Sequence, residues 1–186
     1  MNRILIVYNN ISIVRGDKIV KSIIELASEL VKIPSQAVID NNDNIIEFIY
    51  NWSLKNDLNV KYLYDKNDKK SAILIQNVGS NSGKNHYCFN ACADTAPFGD
   101  VSKWMYHPSS GKIIDGYMYG RGSADSKIAI SIFLHIAKEL KKLKSLNGQV
   151  DFVFDADEHT GNFSGIKSYL EYLNYKKIDG VCIGYP

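Results

Sequence analysis

The sequence predicts an α/β protein with a central mixed, largely parallel sheet and helices on both faces. Three observations carry this. Short β-rich runs alternate with segments of helical period. The second half reads strand, long helix, strand, helix, strand, the βαβαβ order of a sheet covered by helices. The composition, 45% hydrophobic and 23% charged over 186 residues, is that of a globular chain long enough to bury a sizeable core.

Residues 1–16 read as an N-terminal extension, a short strand or irregular, set apart from a unit over 17–186. From Asp17, placed as an N-cap, the period turns helical. Ile19, Val20, Ile23, Ile24, Ala27, Leu30 and Val31 share one face, and Pro34 stops the helix. A second helix is expected over about Ile45 to Leu54, capped by Asn42 or Asp43. Val60–Tyr64 and Ala72–Val78 are β-rich runs separated by a charged turn, and Gly79 to Asn85 is a loop. Tyr87–Ala93 is a third strand ending on Asp94. Residues 95–124 hold Pro97, Gly99, Pro108, Gly111, Gly116, Gly120 and Gly122, and a turn-rich stretch this long points to function. A long helix over Ser126 to about Leu143 buries Ile128, Ile132, Phe133, Ile136, Leu140 and Leu143. A strand over Gln149–Asp155, a short helix over Ile166–Leu173 and a strand opening at Val181 complete the pattern.

Composition excludes several function classes. A net charge of +2 gives no electrostatic footprint for nucleic acid or an anionic membrane surface. The longest apolar runs fall far short of the ~20 residues that span a bilayer. Met1–Tyr8 carries only a four-residue apolar run and no small-residue cleavage site, so the cytoplasm is the expected location. Three cysteines, Cys88, Cys92 and Cys182, do not make a disulfide framework.

The acids are more informative. Asp94 ends one strand, Asp125 precedes the long helix, and Asp157 and Glu158 follow another strand. If those strands are neighbours, four carboxylates meet at one edge of the sheet, where only cations relieve their repulsion. Cys92 and His159 stand beside them, and Cys, His and carboxylate are the zinc ligand set. Each has a plainer reading by itself: Asp125 as a helix cap, Asp157-Glu158 as a solvated turn, Cys92 as core packing. Gly120-Arg-Gly122 is not a dinucleotide loop, because Asp125 occupies the third glycine position and would repel phosphate. His86, His107 and His135 show no partner by spacing and read as structural or surface residues.

Four ordered motifs resemble one family. Leu30-Val-Lys-Ile-Pro-Ser35 is similar to its opening motif. Asp94-Thr-Ala-Pro-Phe-Gly99, Trp104, Pro108, Asp115-Gly116 and Tyr119-Gly-Arg-Gly-Ser-Ala-Asp-Ser-Lys127 resemble its central signature. Asp157-Glu-His-Thr-Gly161 with Gly165 is similar to its acidic motif, and Gly184-Tyr-Pro186 to the next. The family is the co-catalytic zinc aminoacylase/carboxypeptidase group, which includes acetylornithine deacetylase, succinyl-diaminopimelate desuccinylase, aminoacylase and glutamate carboxypeptidase.

The resemblance, which covers about residues 17–186, implies the N-terminal half of a zinc-exopeptidase-like catalytic domain with no lid domain. It implies Zn²⁺, one ion or two, with Co²⁺ or Mn²⁺ as substitutes. Cys92, where the family has His, Asp125 and His159 would be the metal ligands. Asp94 would orient a ligand or the bridging solvent, and Glu158 would be the general base. Tyr185 stands where the family has a ligating Glu, and the Asp125–Ser126 peptide is a candidate cis bond. The implied reaction is hydrolysis of an N-acyl amino acid or small peptide, with the chain as given truncated and weak or inactive. The alternative is a non-catalytic binding or regulatory remnant that has lost its metals. Expected partners are the small substrate and, through an unpaired sheet edge, a second copy or a complementing C-terminal half.

Overall fold

A computed structural model describes residues 10–78, 85–143 and 146–185. Five strands form one sheet: β1 (Val60–Tyr64), β2 (Lys70–Val78), β3 (His86–Cys92), β6 (Gln149–Asp155) and β7 (Gly180–Ile183), in the order β1-β2-β6-β3-β7. The sheet is mixed, as expected, but evenly so. β1, β2 and β6 pair antiparallel, whereas β3 pairs parallel with both β6 and β7. The parallel half carries the acids.

Alternation along the strands makes two apolar faces. Ile73, Ile75, Ala91, Phe152 and Phe154 point to one core, which α1 (Asn10–Lys32), α2 (Asp43–Lys55) and α3 (Lys127–Lys141) cover. Ala72, Leu74, Cys88 and Val153 point to the other, under α4 (Ser164–Tyr172) through Tyr169 and then Leu173. A strand apolar on both faces needs cover on both, which is why helices flank this sheet on either side.

Helix α1 starts at Asn10, not Asp17, so the extension proposed for 1–16 is helical from residue 10; residues 1–9 lie outside the described residues. Ile11, Ile13 and Val14 carry the helical period upstream, and Asp17 becomes an interior residue rather than a cap. The stripe is also turned. Leu26, Ala27, Leu30 and Val31 are buried, while Val20 and Ile24 are exposed. In α3 the buried arc is Ala129, Ile130, Phe133, Leu134 and Ala137, with Ile132 and Leu143 outside it, because α3 packs on α1 as well as on the sheet. His135 joins that seam: its Nε2 is 2.8 Å from Ser22 Oγ and its Nδ1 2.8 Å from the Ser131 carbonyl. Asn42 is the cap residue of α2, though its side chain makes no capping bond.

The turn-rich stretch holds a short 3₁₀ turn (Val101–Lys103) and a hairpin of β4 (Lys112–Ile114) and β5 (Tyr117–Tyr119). Asp115 and Gly116 turn it with φ of 50° and 81°, the two left-handed residues that a two-residue hairpin loop favours. The loop expected over Gly79 to Asn85 lies almost wholly outside the described residues. Among the described residues, no helix is long and apolar enough to cross a membrane.

Candidate metal centre

β3 and β6 are parallel neighbours with Cys92 opposite Asp155, so their carboxyl ends coincide. The crevice beyond such ends is where α/β sheets place ligands. Three segments meet there: the end of β3 with Asp94, the loop after β6 with Glu158 and His159, and Asp125 at the start of α3.

Asp94 holds the first two together. It is fully buried, its Oδ1 accepting the Glu158 amide at 3.2 Å and its Oδ2 the His159 amide at 2.9 Å. Burial raises its carboxyl above the usual range, and those amides, with His159, pull it back. The residues after it pair with the opening motif. Thr95 N–H donates to Ser35 O, Ala37 N–H to Thr95 O, and Ser35 Oγ to Ala93 O. That is why a motif some 60 residues upstream belongs to the site.

His159 stands at the middle. Its Nε2 is 3.5 Å from Asp125 Oδ2, and its Nδ1 is 3.1 Å from Glu158 Oε2 and 3.6 Å from Asp94 Oδ2. Among the described residues, no hydrogen bond reaches the buried Nδ1. Cys92 Sγ lies 3.8 Å from Asp125 Oδ1 and 3.5 Å from Ser126 Oγ. Burial pushes the Cys92 thiol up to about 12, with Asp94, Asp125 and Glu158 adding to the effect. Ligand atoms of Cys92, Glu158 and His159 all lie within 4.8 Å of one another. The Asp125–Ser126 peptide is cis.

A divalent cation fits this donor set. Sulfur, nitrogen and oxygen donors converge, a ring nitrogen is buried without a hydrogen bond among the described residues, and acids outnumber bases around it. Glu158, expected only as a base, is also within ligand reach. Asp125 touches both Cys92 and His159. Asp157 does not join. It accepts a hydrogen bond from Thr160 Oγ1 and lines a separate cleft with Asp65, Lys66 and Asn67.

Two neighbours were not legible. Lys127 is 1% exposed, and its Nζ donates to the Ile33 carbonyl at 2.6 Å. Burial lowers it to about 7, opposed by Asp40, Cys92 and Asp94. The available signal was a cation in the first helical turn, where the helix dipole disfavours one. Gly122 has a φ of +86°, and a Cβ there would meet the Lys127 and Thr95 side chains at 2.9 Å. The Asp125 carboxylate, ahead of burial, raises the Tyr185 phenol.

Comparison with known proteins decides the family. Residues 88–186, more than half of the chain, match the model of peptidase family M20/M25/M40. The chain belongs to that family. Its M20 relatives include the succinyl-diaminopimelate desuccinylases of Ehrlichia canis (32% identical, covering 88% of this chain and 43% of the relative) and Wigglesworthia glossinidia brevipalpis (31%, 89% and 43%). The fold resembles the M20 metallo-carboxypeptidase Sso-CP2 of Sulfolobus solfataricus, with a TM-score of 0.74 and 21% identity over 87% of this chain and 37% of that one. Human carnosine dipeptidase 1 is also similar, at a TM-score of 0.69 and 17% identity over 91% and 38%. The chain thus spans less than half the length of the M20 proteins it matches, which are metal-dependent hydrolases of the peptidase and desuccinylase kind.

Proposed function

We propose that this chain contributes the metal-binding and proton-transfer side of an M20 amide-hydrolase centre, acting in the cytoplasm on an N-acyl amino acid or small peptide. The observation that carries this is the convergence of Cys92, Glu158 and His159 within 4.8 Å around an unsatisfied His159 nitrogen. Cys92, Asp125 and His159 are the proposed ligands of Zn²⁺, or of Co²⁺ or Mn²⁺ in its place. When bound, the cation supplies Lewis-acid polarisation of the scissile carbonyl and acidifies water.

The chain's own residues do the rest. Glu158 takes the proton of the attacking water and hands it to the leaving amine, a step a carboxylate within hydrogen-bond reach can perform. Asp94 is a positioning residue: its two oxygens hold the backbone of Glu158 and His159 and so fix where both side chains stand. The neutral phenol of Tyr185 is a poor zinc ligand, so cation binding is weak and turnover by these 186 residues alone is slow.

Co²⁺ titration followed by absorbance tests this without requiring turnover. A thiolate-to-cobalt band should grow to saturation and vanish in Cys92→Ala. Absence of the band sinks the metal-site reading in favour of the non-catalytic remnant. Amine release from N-acetyl amino acids with added Zn²⁺ then tests catalysis. Turnover no higher than that of Glu158→Ala counts against the hydrolase role.

A further inference from the structure

The loop between β6 and α4 carries Glu158 and His159, and one buried carboxylate grips it at both ends. Asp155, the last residue of β6, is 1% exposed. Its Oδ1 accepts the Asp157 N–H at 2.8 Å, and its Oδ2 accepts the Ile166 N–H at 3.0 Å. The stretch from 157 to 166 is thereby closed into a ring on a single side chain. Asp94 takes the next two amides, those of Glu158 and His159. Three consecutive N–H groups, 157 to 159, are thus held by two buried acids at the ends of adjacent parallel strands. Inside the ring, Gly161 N–H donates to Glu158 O at 2.9 Å and Phe163 N–H to Asp157 O at 3.1 Å. A loop braced in this way moves as one piece, so its ends decide where it stands.

Helix capping alone does not account for Asp155. Phe163, at the N-cap of α4, has a left-handed φ of 53° and no side-chain oxygen to offer. Asp155 supplies the missing acceptor from the strand, at the helix end where the dipole favours a negative charge. A serine or asparagine oxygen would cap as well, without a buried charge. Burial raises the Asp155 carboxyl to about 6; its two amides oppose that rise, and Asp94 and Asp157 add to it. What a carboxylate offers beyond a cap is a second acceptor. That acceptor goes to Asp157, the residue before Glu158, and not to the helix. Gly165 completes the fit: a Cβ there would meet Asp155 Cγ and Oδ1 at 2.7 Å, so only glycine lets the helix end come this close.

We propose that Asp155 is a positioning residue of the metal centre: by gripping the Asp157 and Ile166 amides it fixes the loop on which Glu158 and His159 stand. Its effect on cation binding rests on the metal-site reading; the grip on the loop does not. A ligand set held in place before the cation arrives binds it more tightly than one that must be ordered first.

The test pairs Co²⁺ titration with amide hydrogen exchange. Asp155→Asn keeps the size of the side chain, removes the buried charge and leaves one acceptor for two amides. Its Co²⁺ dissociation constant should rise at least tenfold. Tyr169→Phe, a destabilising change elsewhere on α4, should bind Co²⁺ as wild type does, so affinity and stability part company. Gly165→Ala leaves Asp155 in place but crowds its carboxyl, and should weaken Co²⁺ binding in the same direction. In EDTA, the amides of residues 157–166 should exchange at least tenfold faster in Asp155→Asn than in wild type. Wild-type Co²⁺ affinity in Asp155→Asn overturns the proposal, and so does an equal loss in Tyr169→Phe. If wild type itself binds no Co²⁺, the metal-site reading fails separately, and unchanged exchange of the loop in EDTA then overturns the grip as well.

Discussion

Strands β3 and β6 carry a histidine–carboxylate cluster at each end, and the two clusters are built on opposite terms. At the amino ends, His86 Nε2 is 3.0 Å from Asp151 Oδ2, Tyr169 donates to the same oxygen at 2.9 Å, and Gln149 donates to Asp151 Oδ1 at 3.0 Å. The buried acid has donors on both oxygens. At the carboxyl ends, His159 stands among three carboxylates with a buried nitrogen that lies 3.1 Å from Glu158 Oε2 yet makes no hydrogen bond among the described residues. A satisfied polar network rigidifies a fold; an unsatisfied one costs stability unless something else completes it. The same residue types thus mark structure at one end of two strands and chemistry at the other.

The sharpest way to break this contrast is to remove one acid from each cluster. Asp151→Ala strands the buried Tyr169 hydroxyl and two half-buried donors, His86 and Gln149, and should cost about 3 kcal/mol in urea unfolding. Glu158→Gln removes one of several crowded acids and should change stability by no more than about 1 kcal/mol. Comparable losses would erase the distinction.

Asp155 offers a pH test. It is 1% exposed at the end of β6, and burial raises its carboxyl to about 6 although the Asp157 and Ile166 amides donate to it. Between about pH 4 and 6 the folded chain keeps a proton that the unfolded chain has released. Stability should therefore fall as pH rises through that window, by about 3 kcal/mol. The wild-type curve minus that of Asp155→Asn isolates the slope; a flat difference rules it out.

Metal addition should act at one end only. Zn²⁺ at a hundred times its dissociation constant should stabilise the chain by about 2.7 kcal/mol. Thermal melts should show that shift abolished in Cys92→Ala and His159→Ala and retained in His86→Ala. The smallest effect belongs to Tyr169→Phe, which removes one hydrogen bond to Asp151 and should cost about 1.5 kcal/mol. Its zinc-induced shift should match that of wild type.

Much of the fold was legible because its determinants are local. The β-rich run at 60–64, the alternating run at 149–155 and the existence of a helix after Asp17 need only local composition and spacing, whereas the face that helix buries, with Val20 and Ile24 outside it, does not follow from them. Asp94, Asp125, Glu158, Cys92 and His159 were legible as a group because all lie at strand ends or a helix start, positions that sequence can assign. Asp157 was misplaced because a turn decides which way a side chain points: Thr160 draws it to a different cleft. The hairpin at 112–119 is hard to read from sequence although Asp115-Gly116 is a hairpin signal, since its three-residue strands are too short to show alternation.

What the sequence determined by itself is the order of elements, the family and the residue types that crowd the centre, because backbone preference and apolar period act over a few neighbouring residues. Tertiary structure alone decided which histidine is satisfied and how Lys127 comes to lie 1% exposed behind Asp94 with its ammonium on the Ile33 carbonyl. Those outcomes depend on contacts between segments distant in sequence, and on the low dielectric that packing creates where they meet.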